Sequence, residues 1–459
     1  MTSSSSSTKP PSPPPIEAVG FWQAFAFWLK LGFISFGGPA GQIAIMHTEL
    51  VERRRWISEK RFLHALNYCM VLPGPEAQQL ATYIGWLLHK TRGGIVAGVL
   101  FVLPSLFILV ALSWIYMAYG DQPAVAGLFY GIKPAVTAIV VQAAHRIGSR
   151  ALKTPVLWGL AAASFVAISA LDVPFPLIVV AAVLLGSMGS QYAPDQFKMG
   201  GGAHGPVQHS AGPALIDDDT PPPAHALFSW ARLTRVLVVC AALWLIPIGL
   251  LFASLGWSHA LTQMGWFFTK AAFLTFGGAY AVLPYVYQGA VESFAWLTPT
   301  QMMDGLALGE TTPGPLVMIN AFVGFVGAAQ HTSLAFLPIT WAGSLGALVV
   351  TVFTFLPSFV FILVGAPWIE ATRKSLSLAA PLTAISAAVV GVIVDLALIF
   401  AQHTFFPDGQ LWSWRSLDLV AIFISVLASL MLLQFKLGML TTLLVSTALG
   451  VVAVALQLP

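Results

Sequence analysis

Four breaks in apolar runs carry the chemistry this chain can offer. Phe36-Gly37-Gly38-Pro39 is followed by Pro73-Gly74-Pro75, and a shift of 240 residues lays Phe276-Gly277-Gly278 and Pro313-Gly314-Pro315 over them in one register. Lys30, Phe33, Glu52, Trp56 and Leu66 fall on Lys270, Phe273, Glu292, Trp296 and Leu306 under the same shift, so the chain is an internal duplication. A helix broken inside a bilayer must bury its freed backbone groups in protein or line a wet cavity with them. The helix that restarts exposes unpaired N–H groups and roughly half a positive charge, a ready anion site. Gly37 and Gly38 let the backbone approach a ligand, and Pro39, Pro75 and Pro315 suit a first helical turn, where no N–H is needed. Ala279 stands where the first copy has Pro39. The candidate substrate-binding residues are therefore Gly37, Gly38, Pro39, Pro73, Gly74, Pro75, Gly277, Gly278, Thr312, Pro313, Gly314 and Pro315. Close packing of small residues explains any one such motif; four in matched positions favour an anion cage.

Charges inside the apolar runs come next. Lys30 and Lys270 precede each Gly-Gly by about six residues, ~9 Å of helix, and join the candidate set as compensating charge, against snorkelling to the interface. Lys133, before Pro134, divides evenly between site and snorkel. Glu76 and Glu310 are the proton-coupling candidates; an acid in a first turn is also favoured by the helix dipole, so capping is the alternative for Glu76. Asp304 and Asp395 carry the same two readings. His47 and His64 read as interface residues, Arg53-Arg54-Arg55-Trp56 as a topology anchor, and Cys69 and Cys240 as small buried hydrophobes. No CxxC, HExxH, P-loop or dinucleotide fingerprint appears in its proper context. The expectation is a chain that is not an enzyme and needs no metal, cofactor or nucleic acid.

The elements that must position these residues are membrane helices. The 459 residues are 57% hydrophobic and 8% charged, against about 25% charged in a soluble domain. This is an all-α polytopic membrane protein of the cell (inner or plasma) membrane. A Ser/Pro-rich tail, 1–19, precedes a first repeat, 20–192, with apolar segments at 20–36, 39–48, 62–72, 76–89, 94–118, 123–145, 155–171 and 174–192. A flexible linker, 193–230, contains Asp217-Asp218-Asp219, and a connecting transmembrane helix, 231–258, has no partner in the first copy. The second repeat, 259–459, has segments at 262–276, 279–290, 302–312, 316–329, 340–366, 378–401, 417–434 and 439–456.

A span needs ~20 apolar residues, so the broken pieces are kinked spans or re-entrant hairpins. Arg53, Arg54, Arg55, Lys60 and Arg61 before 62–89, with Lys90 and Arg92 after it, put both flanks on the cytoplasmic side and favour a hairpin broken at Pro73-Gly74-Pro75. The equivalent loop 291–301 has no Lys or Arg. Arg146, Arg150, Lys153, Lys198, Arg232, Arg235, Arg373, Lys374 and Lys436 then fall cytoplasmic and Arg415 outside. The odd connecting helix flips the second copy, giving two inverted repeats.

With these motifs the chain resembles the chromate ion transporter family in its long two-domain form. The resemblance rests on Phe36-Gly37-Gly38-Pro39, Glu52 to Trp56, Leu72 to Pro75, Phe276-Gly277-Gly278, Trp296-Leu297-Thr298 and Ala307 to Pro315, with Leu103-Pro104-Ser105 and Phe355 to Ser358. It covers nearly everything from Phe21 to Leu456 and departs at Gly278-Ala279-Tyr280, where many members carry a third Gly. It implies chromate efflux that confers resistance, by a secondary transporter or antiporter, with sulfate as the look-alike. Passive anion conduction and sulfate uptake stay open, as does the assembly state, a homodimer included.

Overall fold

The computed structural model describes residues 18–120, 122–197, 213–218, 220–221, 223–331, 338–372, 379–407 and 416–457. Most of the tail, together with Lys198, Asp219, Arg373, Lys374 and Arg415, lies outside the described residues. The first half holds α1 (Phe21–Ile34), α2 (Gly38–His47), α3 (Glu59–Val71), α4 (Glu76–Tyr119), α5 (Pro123–Ala151), α6 (Pro155–Ser169) and α7 (Phe175–Tyr192). The connecting helix is α8 (Trp230–Leu255). The second half holds α9 (Ala260–Leu274), α10 (Ala279–Tyr287), α11 (Pro299–Thr311), α12 (Ile319–His331), α13 (Ile339–Thr372), α14 (Ala379–Phe405), α15 (Leu419–Leu433) and α16 (Met439–Ala455). Six described helices are long and apolar enough to cross a membrane, α8 among them, so the fold is that of an all-α multi-pass membrane protein.

All four breaks interrupt helices where Gly and Pro demand it. The duplication extends to fine detail. Each α2-like helix runs into one wide turn, Thr48–Arg53 or Gln288–Ser293, and then a residue with positive φ, Arg55 at 52° or Ala295 at 50°. Trp56 and Trp296 follow, both buried. The next helix is capped at equivalent positions: Ser58 Oγ accepts from the Arg61 amide, and Thr298 and Gln301 form a reciprocal capping box.

The 44-residue α4 is two antiparallel arms, because His89 and Lys90 leave helical geometry. Gly85 lies against Gly93 across the turn, where a Cβ would come within 2.5 Å of a carbonyl. Gly324 and Gly346 repeat this contact between α12 and α13. The ends of the hairpin 59–88 lie side by side: Arg61 and Tyr83 both bond Glu370, each at 2.5 Å, and the Tyr68 and Tyr83 rings are 6.0 Å apart.

The halves interlock by exchange. α5 packs on α15 and α16, whereas α14 packs on α6 and α7. α13 spans both ends of the bundle: Gly343 near its start packs on Phe325 of α12, whose Gly327 lies against Trp296, and Glu370 near its end pairs with Arg61. Trp56 and Trp296 therefore mark opposite ends of a helix ~50 Å long.

The described part of the segment expected to be a flexible linker is instead docked on the Arg61 end. Leu215 and Ile216 amides donate to Arg55 and Trp56 carbonyls, and the Ser58 amide donates to Ile216 O. Arg61 donates to the carbonyls of Asp217 and Thr220, and Ser58 Oγ to Asp218. Asp217 and Asp218, expected to be simply solvated, take part in this strap because Arg61 has donors left over after pairing with Glu370. His225 contacts the Trp86 carbonyl at 2.9 Å, and burial holds its imidazole below the ordinary value.

Candidate functional site

The breaks meet across the two halves. The Gly74 amide donates to the Thr275 carbonyl at 2.7 Å, and the Gly314 amide donates to the Ser35 carbonyl at 2.8 Å. Under the 240-residue shift these are the same bond drawn in both directions. Each Pro-Gly-Pro loop thus lies on the Gly-Gly loop of the other half. Gly74 has φ 125° and Gly314 φ 105°, a region that favours glycine. A Cβ at Gly74 would come 2.5 Å from Ser358 Oγ, and one at Gly314 would come 2.9 Å from Ser105 Cβ. Ser105 and Ser358 each follow the proline inside a helix, Pro104 of α4 and Pro357 of α13.

The expectation that the Gly74 and Gly314 amides hold the anion is corrected by this pairing: both are taken by carbonyls, because the loops cross closely enough to satisfy each other. Gly37, Gly38, Gly277 and Gly278 also have positive φ, and a Cβ at Gly38 or Gly278 would meet nothing within 4 Å. Gly38 and Gly278 thus border open space, whereas Gly37 and Gly277 have Gly41 and Ser386 near them. Pro39 lies in the first turn of α2, whereas Pro75 and Pro315 stand one residue ahead of the helical turns they open. Thr312 is buried, its hydroxyl turned back to the Gly309 carbonyl.

Buried polar groups that sequence reasoning missed gather around the crossing. Gln42 Nε2 donates to the Ser35 and Gly314 carbonyls at 3.2 and 2.5 Å, and Gln79 Nε2 to Pro73 O at 2.8 Å. Gln42 Oε1, Gln79 Oε1, Ser105 Oγ and Asn320 Oδ1 are buried without a hydrogen-bond partner. An orphaned buried polar atom costs about 1–3 kcal/mol, and such atoms concentrate where function requires them. Gln42 and the pair Gln78-Gln79, in otherwise apolar segments, were the available signal; the contact of Gln42 across the halves was not legible.

Lys30 and Lys270 do not approach one point between the loops. Both are exposed on the outer faces of α1 and α9, beside exposed Phe33 and Phe273. The apolar contacts of each helix point its opposite face inward. Lys133 lies by Asp304, whose Oδ2 accepts from the Tyr116 hydroxyl at 3.0 Å. His47 sits between Glu52 and Glu59 at 3.2 and 2.5 Å.

Glu76 and Glu310 border the crossing, with arginines facing them. The Tyr280 hydroxyl donates to Glu310, and the Arg146 guanidinium lies 5.5 Å over the Tyr280 ring. Arg150, one turn further along α5, is the cation whose charge acts on Glu76. Of these two arginines, read from sequence as cytoplasmic, Arg146 thus lies against a side chain that opens α10 at the second Gly-Gly break. At the Trp296 end, a cavity of about 280 Å³ is lined by Asp172, Glu292, Asp395, Gln288 and Tyr287. Among the described residues no group of His, Cys, Asp and Glu has the arrangement to hold a metal.

A family model described as Chromate transporter matches residues 22–187 and 262–452. The chain is similar to the chromate transport protein of Pseudomonas aeruginosa, 34% identical over 397 residues, which are 85% of this chain and 84% of that one. It is also similar to the probable chromate transport protein of Synechococcus elongatus, 29% identical over 390 residues, with 84% and 86% covered. The chromate transport protein of Cupriavidus metallidurans is 27% identical over 436 residues, with 93% of each chain covered. No solved structure matches this chain.

Proposed function

The chain belongs to the chromate transporter family, and from that premise we propose that it is a secondary carrier exporting chromate from the cytoplasm, so that cells bearing it resist chromate. Sulfate, a dianion of the same shape, is the expected competitor. The observation that carries the site is the reciprocal crossing of the Pro-Gly-Pro and Gly-Gly loops. It brings the starts of opposed half-helices together, where Gly38 and Gly278 border open space, with Gly37 and Gly277 beside them, and the helix dipoles favour an anion. Gly74 and Gly314 hold the loops in place rather than touching the ion.

In this reading the halves are inverted repeats, and the Arg61 end, with its Lys and Arg, faces the cytoplasm of the inner membrane. Alternating access follows when the two halves trade conformations about the fixed crossing. Lys30 and Lys270, on exposed stripes leading to the Gly-Gly loops, add positive charge along the approach.

Inverted membrane vesicles carrying the protein test this. Chromate accumulation that saturates, exceeds the equilibrium level and is inhibited by sulfate is the expected result. Flux that only dissipates a chromate gradient would establish passive conduction instead, and chromate that disappears by reduction would reject transport.

A further inference from the structure

Arg146 and Arg150 lie on one face of α5, four residues apart; Arg146 is joined through Tyr280 to Glu310, and the charge of Arg150 acts on Glu76, the two acids that flank the crossed loops. Glu310 closes α11 immediately before the Pro313 break, and Glu76 opens α4 immediately after Pro75. Arg146 lies over the ring of Tyr280, in the first turn of α10, and the Tyr280 hydroxyl holds Glu310. Met439 Sδ of α16 lies 3.9 Å from the same hydroxyl. Among the described residues, the groups whose charge or hydrogen bonding acts on Glu310 are Tyr280 and Arg146; Arg150 acts on Glu76, and Glu76 in turn acts on Cys69 of α3. Glu76, Arg146 and Glu310 are each partly exposed, and Arg150 is exposed. Two cations and two carboxylates balance to zero.

Resting on the transport reading above, we propose that Arg146 and Arg150 are the substrate-binding cations and that Glu310 and Glu76 are tethered counter-anions which occupy them in the empty carrier. A tetrahedral dianion and two carboxylates cannot share two guanidinium groups without an excess of negative charge. The dianion therefore binds as the carboxylates are displaced and take up protons. Guanidinium geometry matches oxyanion edges bidentately, and the Tyr280 hydroxyl is positioned to pass from Glu310 to the bound ion. The duplicated sequence supplies these groups once only: Ala40 and Met70 stand at the positions equivalent to Tyr280 and Glu310, and Leu316 at that equivalent to Glu76.

The test uses purified full-length protein with sulfate, which stays a dianion while carboxylates titrate, and with chromate in parallel. Affinity is measured against pH, together with proton uptake in weak buffer. The expectation is tighter binding as pH falls, approaching about tenfold per pH unit for each coupled proton. Glu310→Gln is expected to bind tightly at high pH and to lower proton uptake by about one, with Glu76→Gln as the second variant. Arg146→Gln is expected to lose affinity at every pH, with Arg146→Lys restoring part of it and melting temperatures matched. Binding that is independent of pH and releases or takes up no protons overturns the linkage while leaving transport intact. Wild-type affinity in Arg146→Gln overturns the site. Failure of both anions to bind the wild-type protein overturns the transport reading itself.

Discussion

Substituting Gly74 by alanine tests the crossing of the loops most directly. At φ 125° a side chain occupies a region reserved for glycine, a strain of about 1–3 kcal/mol. The new methyl would also stand 2.5 Å from Ser358 Oγ and 2.6 Å from Gln79 Nε2, and forcing such a group into a packed site adds about 1–3 kcal/mol. Together these are ~2–6 kcal/mol against the crossed state, roughly a 30-fold to 20,000-fold shift at 1.4 kcal/mol per tenfold. Gly74→Ala should therefore reach the membrane but lose most chromate transport in vesicles, with a lowered melting temperature. The double variant Gly74→Ala/Ser358→Ala removes one of the two clashing groups and leaves the Gln79 Nε2 contact and the backbone strain, so it should recover part of the loss, on the order of 1 kcal/mol. Gly159→Ala is the control: it lies in α6, and a methyl there meets nothing within 4 Å. Wild-type transport by Gly74→Ala, or a double variant no better than the single, would refute the reasoning.

Three further outcomes follow from the packing. Arg61→Ala leaves Glu370 buried without its cation, which costs about 3–5 kcal/mol; the melting temperature should fall and the 213–226 strap become a protease site, whereas Arg61→Met with Glu370→Met should restore much of the melting temperature. Lys30→Ala and Lys270→Ala, on exposed faces, should raise the KM for chromate and weaken its dependence on salt while kcat holds, as measured by initial rates in vesicles. Thr298→Ala removes one capping box at an exposed helix start, so it should lower stability by about 1 kcal/mol in thermal unfolding and leave transport unchanged.

The breaks were legible because glycine and proline act through the local backbone, and the repeat because it keeps its register. The hairpin was expected over 62–89 from basic residues on both flanks, and the two arms observed run over 59–88. The reach of the crossed loops was not legible. Gly74 and Thr275 are far apart in sequence, and nothing near Gly74 announces that its amide is already paired. Arg146 and Arg150 were legible only as cytoplasmic basic residues near a helix end; that Arg146 lies over Tyr280, which holds Glu310, could not be read without the side-chain direction. The docked strap was hidden by composition: a stretch rich in Gly, Pro and Asp reads as solvated until Arg61 is seen to hold its carbonyls.

Backbone symmetry and charge asymmetry together bear on direction. A carrier built from two equivalent halves can open either way with similar backbone geometry, so the backbone alone sets no preference between mouths. The side chains do. Near the crossing stand Arg146 and Arg150, contributed by α5. At the Trp296 end the cavity is walled by Asp172, Glu292 and Asp395. An oxyanion leaving the arginines toward that end meets carboxylates, which disfavour its staying. On the proposed function, the arginine side captures a scarce anion and the carboxylate side releases it. Neutralising the latter with Asp172→Asn and Glu292→Gln should slow release and lower kcat for chromate, with binding from the Arg61 end unchanged. A faster turnover in that variant would place the outward barrier elsewhere in the bundle.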